Sequence, residues 1–343
     1  MLSICYSRII SAISMKISMK YILSTITLIF LSCSGESDVH SVIKEDQETV
    51  KEETIEREGL QTQGVEIIVL GEAQDAGAPQ LYCEEKCCIR LRDNNDRKLV
   101  SCIGVKDLDN SEYYLFDATP DMDEQLEHFC EKGSLDGIFL THAHIGHYTG
   151  LMYLGREAHS AEMVPVFAMP KMAEFLRKNG PWSLLVENGN IDLVEVENEG
   201  EVQLNSQLLV KPFLVPHRDE FSETVGYKII GPKKTALFIP DIDKWDEWEK
   251  DIKREINEVD IALIDATFYD EHELKGRDMS EIPHPFVVET MKLFQEESEE
   301  LKNKVYFIHI NHSNPILDED SEEAQQVISN GFNIAYEGTR IAL

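Results

Sequence analysis

The chain has 343 residues, 64 of them acidic and 32 basic, for a formal net charge of −32. A surface this acidic repels phosphate backbones, because nucleic-acid affinity rests on Lys and Arg neutralising phosphates. It argues against a nucleic-acid partner and more easily accommodates a small neutral or cationic substrate, the plainer reading being that the acidity only serves solubility. Hydrophobic residues make up 42 %, enough for one large core or two small ones.

In chain order, Lys16 and Lys20 precede the apolar run from Tyr21 to Leu31. That run is short for a membrane span and suits the core of a signal peptide. It ends in Phe30-Leu31-Ser32-Cys33, which resembles a bacterial lipobox except for Phe in place of the usual Leu. The resemblance implies a signal peptide over 1–33, lipidation of Cys33, and a protein held in the bacterial cell envelope through an N-terminal lipid, facing periplasm or surface. A plain cleaved signal or an uncleaved anchor is the alternative, and a start at Met15 or Met19 gives a more usual signal length. Residues 34–64 are polar and Glu-rich; without aromatics they cannot bury enough surface to fold, so they read as an acidic flexible tether.

From 65 to 343 apolar strand-like runs alternate with helical stretches. Strands are expected at Val65–Gly71, Tyr113–Asp117, Gly137–Thr141, Val164–Met169, Leu208–Val215, Val225–Ile230, Thr235–Ile239, Ile261–Ile264 and Val305–Ile310. Helices are expected over Met122–Lys132, Lys171–Lys178, Lys244–Ile256, Pro285–Glu300 and Glu319–Ser329. This order argues for a layered α/β architecture.

The chemistry concentrates between Leu140 and Gly150 (LTHAHIGHYTG). A strand alternates its side chains, so His142 and His144 leave its end on one face. Gly146 reads as a sharp turn that brings His147 back from the next helix. Three imidazoles within six residues are costly as plain packing, since each ring needs partners for two nitrogens, and imidazole is a preferred ligand of zinc and similar metals.

These residues resemble the metallo-β-lactamase superfamily and its His-x-His-x-Asp-His motif, and the resemblance runs over about 65–343. It implies a four-layer αββα sandwich. Val215-Pro-His217, Phe238-Ile-Pro-Asp241, Ile282-Pro-His284 and Phe307-Ile-His309 are similar to later motifs, each weak alone and credible through order and strand-end placement. The implied metal ligands are His142, His144, His147, His217, Asp241 and His309, with His309 preferred to His312 because it ends its strand directly. The implied catalytic residues are Asp241, which accepts a proton, and His284, which donates one. The implied cofactor is zinc, one or two ions, with iron or manganese as alternatives. Within the superfamily the chain is most similar to the pyrroloquinoline-quinone biosynthesis protein B group, through Val69–Gly71, Ala78–Gln80 and the cysteines after it, Asp265–Phe268, Gly276–Met279 and His309–Pro315. That group acts in the cytoplasm on a peptide-derived precursor, and the leader sets this chain apart from it.

Gly146 stands where the superfamily has Asp, so the second metal position is expected to be weaker or differently built; lost or altered chemistry is the rival reading. Cys83, Cys87 and Cys88 place three thiols within six residues. The related group has a cysteine cluster here that resembles a structural zinc site; a disulfide to Cys102 or another partner, or free thiols, are the other readings. The function implied is hydrolysis of a small-molecule ester, lactone or phosphodiester by a metal-activated water. Iron-dependent oxidation on the same scaffold and a non-catalytic metal- or ligand-binding lipoprotein are the alternatives.

Overall fold

The computed structural model describes residues 63–130, 135–274 and 276–343. The signal peptide, Cys33 and all but the end of the tether lie outside the described residues. Among the described residues no helix is long and apolar enough to cross a membrane.

The strands fall into two sheets that follow chain order. The first half of the domain supplies β1 (Val65–Gly71), β2 (Cys102–Asp107), β3 (Glu112–Phe116), β4 (Gly137–Phe139), β5 (Val164–Ala168) and β6 (Ile191–Glu195). The second half supplies β7 (Val202–Gln203), β8 (Leu209–Leu214), β9 (Val225–Ile230), β10 (Thr235–Ile239), β11 (Ile261–Asp265), β12 (Val305–Ile308) and β13 (Asn333–Ile334). The last strand, β14 (Arg340–Ala342), returns to pair antiparallel with β1, so the sheet orders are β14-β1-β2-β3-β4-β5-β6 and β13-β12-β11-β10-β9-β8-β7. β3 to β6 run parallel, as do β10 to β13.

Alternation along the strands builds three apolar layers. Val65, Ile67 and Val69 of β1, Tyr114 and Phe116 of β3, Ala236 and Phe238 of β10, and Ile261 and Leu263 of β11 share one core between the sheets. Their strand neighbours point the other way. Ile68, Leu70 and Leu115 pack beneath helices of the first half, and Leu237, Ile239, Ala262 and Ile264 beneath those of the second. A sheet covered on both faces favours near-continuous apolar runs, as in the wholly buried β1 and β11, which are interrupted only by Glu66, paired with Arg340 of β14, and by Asp265 at the end of β11. The helices are α1 (Lys86–Asp93), α2 (Met122–Phe129), α3 (Ile145–Tyr148), α4 (Pro170–Lys178), α5 (Trp182–Glu187), α6 (Ile252–Asn257), α7 (Val287–Leu293), α8 (Glu299–Lys302) and α9 (Glu322–Ser329). The result is the expected αββα sandwich.

Two expected helices are shorter than periodicity suggests, for a local reason. Over Lys244–Ile256 there is a 3-10 turn at Trp245–Glu247, and α6 starts only at Ile252 because the Asp251 carboxylate accepts from Lys253 N at 2.9 Å and caps it. Over Pro285–Glu300 the chain breaks between α7 and α8, where Ser298 Oγ accepts from Leu301 N at 3.2 Å. Helix α2 ends at Phe129, short of the expected Lys132, and residues 131–134 lie outside the described residues.

The inner core holds the site loop directly. Phe139 stacks between Phe116 (4.8 Å) and Phe167 (4.3 Å), and Tyr227 meets Phe139 edge-on at 5.5 Å from the opposite sheet. The Tyr227 hydroxyl donates to Leu140 O at 2.5 Å, two residues before His142. Tyr227→Phe leaves that buried carbonyl unsatisfied and is expected to cost about 1–3 kcal/mol in chemical denaturation. A variant as stable as wild type would show that the bond is dispensable.

Candidate metal centre

The carboxyl ends of β3, β4, β8, β10, β11 and β12 open on one side of the sandwich, where loops leave open α/β sheets and ligands bind. Each delivers a polar side chain there: Asp117, His142 and His144, His217, Asp241, Asp265, and His309. Asp117 and His309 take left-handed backbone (φ 70° and 64°) directly after their strands. Such strain in a non-glycine residue persists only where surrounding structure enforces it.

Ligand atoms of His142, His144, His217 and Asp241 lie within 4.8 Å of one another. Asp241 Oδ2 is 3.3 Å from both His142 Nε2 and His217 Nε2, and 3.8 Å from His147 Nε2. A second group joins His147 and His309 with Asp75, and a third joins Asp241 and Asp265 with His309. The structure thus brings together His142, His144, His147, His217, Asp241, His284 and His309. His312 turns elsewhere.

Carboxylates behind the rings set their orientation. His147 Nδ1–H donates to Asp117 at 2.7 Å, His217 Nδ1–H to Asp243 at 2.9 Å, and His284 Nδ1–H to Asp265 at 2.8 Å. Asp117 also accepts from Thr141 N at 2.8 Å, locking the base of the loop. This is the arrangement that fixes a metal-binding imidazole in one tautomer and raises its basicity. Burial works against a charged ring, but Asp117 and then Asp75 outweigh it at His147, raising its pKa to about 9. At His217, Asp241 and Asp243 likewise overcome burial and raise it to about 10. His142 is held well below the ordinary imidazole range by burial and by the neighbouring His147. Burial also opposes charge at His284, yet Asp265 and Asp241 raise it.

Burial pushes the Asp241 carboxyl up, but the surrounding imidazoles, His284 and His217 foremost, hold it well below its usual range. A carboxylate held ionised in this way suits holding a cation.

The fit to a metal rests on unpaired atoms. His147 Nε2, His217 Nε2, His309 Nε2 and Asp241 Oδ1 are buried with no hydrogen-bond partner. Each such atom ordinarily costs about 1–3 kcal/mol. Imidazole nitrogens and carboxylate oxygens facing one space are the donor set of zinc and similar divalent ions.

The cysteines form a separate cluster. Helix α1 carries Cys87 and Cys88, and ligand atoms of Cys83, Cys87, Cys88 and His312 lie within 4.8 Å of one another. His312 Nδ1 is 3.3 Å from Cys88 Sγ and 3.9 Å from Cys87 Sγ. Three thiols and an imidazole suit a closed tetrahedral metal site. Burial pushes the Cys88 thiol up to about 12, so occupancy there is coupled to thiol deprotonation. Cys102 takes no part in the cluster; its thiol donates to Asp117 O at 3.4 Å.

Sequence reasoning missed Asp75, the orienting Asp117 and Asp243, and the partnership of His312 with the thiols. The usable signal was placement: Asp75 follows β1 in a Gly- and Pro-containing loop, and Asp117 follows the end of β3 as Asp241 follows that of β10.

Residues 112–310 match the family model described as a beta-lactamase superfamily domain. Over 320 residues the chain is 27 % identical to coenzyme PQQ synthesis protein B of Nitrosococcus oceani, covering 81 % of this chain and 99 % of that protein. The protein of that name from Klebsiella pneumoniae is 28 % identical over 316 residues, covering 81 % and 98 %. Among solved structures, zinc-bound PqqB from Methylobacterium extorquens superposes with a TM-score of 0.69 at 21 % identity, covering 81 % of this chain and 100 % of that one. A diphosphatase of the PhnP family superposes with a TM-score of 0.57 at 22 % identity, covering 81 % and 97 %.

Proposed function

This chain belongs to the metallo-β-lactamase superfamily, and on that premise we propose that it is a zinc-dependent hydrolase of a small-molecule ester, lactone or phosphodiester. The observation that carries the reading is the convergence of His142, His144, His217 and Asp241, with buried ring nitrogens left unpaired. Zinc held there supplies a Lewis acid and lowers the pKa of water. Two relatives support the choice: PqqB of similar fold is zinc-bound, and a diphosphatase shares the fold.

The chain's own groups divide the remaining work. Asp117 and Asp243 hold His147 and His217 in place through Nδ1, leaving each Nε2 to face the centre. Asp241 supplies negative charge between the two groups of ligands. His284, whose pKa Asp265 and Asp241 raise against the effect of burial, is the proton donor to the leaving group, through the ring nitrogen that Asp265 does not engage.

The test is metal analysis with turnover on a panel of carboxylic esters, lactones and phosphodiesters. Zinc with turnover that a chelator abolishes supports the reading. Iron with oxygen consumption, or metal without turnover on any class, overturns it.

Export and anchoring complete the proposal. Wild type is expected in the membrane fraction with a lipid-modified N-terminus, and Cys33→Ser in the soluble fraction, by mass spectrometry of fractionated cells. Equal partitioning of the two would remove the anchor.

A further inference from the structure

Gly146 lies in helix α3, buried, and is absent from the glycines with left-handed backbone. It is therefore not there for conformational freedom, as a sharp turn would require. It is there for room. A Cβ at position 146 would lie 2.3 Å from Asp75 Cβ and 2.8 Å from Asp75 Cγ, closer than such atoms approach. The carboxylate that the superfamily motif places at 146 is missing, and a carboxylate from another part of the chain occupies the space beside it.

Asp75 is held there by the end of the domain. Gln74 N donates to Ile310 O at 2.8 Å, and Asn311 Nδ2 donates to Gln74 Oε1 at 2.5 Å. Ala76 and Gly77 then take left-handed backbone (φ 79° and 70°), turning the chain away just beyond Asp75. The loop is thus tied to residues that directly follow His309. Asp75 Oδ1 is 3.7 Å from His309 Nε2, and ligand atoms of Asp75, His147 and His309 lie within 4.8 Å of one another. His147 Nε2 and His309 Nε2 belong to wholly buried rings and have no hydrogen-bond partner.

We infer that Asp75 is the carboxylate ligand of the second metal position, together with His147 and His309, and that Gly146 is the space that admits it. The ligand has moved from α3 to the loop after β1, and the anionic charge is kept. This rests on the reading of the histidine cluster as a metal centre.

Zinc content and affinity of the full chain test it, by mass spectrometry after equilibrium dialysis. Asp75→Ala and the isosteric Asp75→Asn are expected to lose one zinc per chain, or to weaken it at least about 100-fold. The zinc that His142→Ala removes should stay bound in both. Gly146→Asp alone drives its side chain into Asp75 and is expected to lower the melting temperature. Asp75→Gly with Gly146→Asp is expected to restore the lost zinc, and if it does not fold, Asp75→Asn decides. Unchanged zinc content and affinity in Asp75→Asn would overturn the inference while leaving the metal centre standing. No zinc lost in either His142→Ala or Asp75→Asn would overturn both.

Discussion

His217→Ala is expected to empty the first metal position and to lower turnover roughly a thousand-fold or more, on the order of 4 kcal/mol of activation barrier. His217 Nε2 is buried without a hydrogen-bond partner and lies 3.3 Å from Asp241 Oδ2, among the atoms that face the centre. Asp243→Ala is the graded companion. It removes only the acceptor of the Nδ1–H bond, 2.9 Å away, and is expected to weaken zinc by about 10–100-fold with the ion still bindable at high concentration. Zinc affinity and turnover measured together separate the cases. Should His217→Ala keep its zinc, the assignment of the first position is wrong; should Asp243→Ala match His217→Ala, Asp243 does more than orient the ring.

The second large effect is on stability against pH in metal-stripped protein. His147 and His217 titrate near 9 and 10 in the folded state, against about 6.5 for a free imidazole. The folded state therefore binds these protons more tightly than the unfolded state. Their contribution is complete below about pH 6.5 and is lost as pH rises through the folded values. Metal-stripped protein is expected to lose a few kcal/mol between pH 6.5 and 9. Asp75 and Asp241 are held low and stay ionised throughout that window. Zinc reverses the trend, since it competes with protons for the same nitrogens and binds more tightly as they leave. Thermal melts with and without saturating zinc should diverge as pH rises. Parallel curves would mean that these two rings do not bind the ion.

Both effects depend on a ring with a carboxylate behind its Nδ1 and an Nε2 without a hydrogen-bond partner, of which only part was legible in the sequence. His142, His144 and His147 were legible because strand alternation and one helical turn act over six residues. His217, Asp241 and His309 were legible as polar residues ending apolar strands, a pattern in which each residue is placed by its own strand. The αββα layering was legible too, since strands buried on both faces announce themselves as near-continuous apolar runs.

What the sequence by itself determined was the local half of the site: the strand, the face and the residue type. Only the tertiary structure decided which loops meet there. It turned His312 to the thiols of α1 while leaving His309, three residues earlier, in the centre. It also put Asp75 against Gly146, 71 positions away in the chain, so that an apparent loss at one became room for the other. No periodicity encodes such a pairing, because it follows from β14 and the loop after β12 folding back against the first strand.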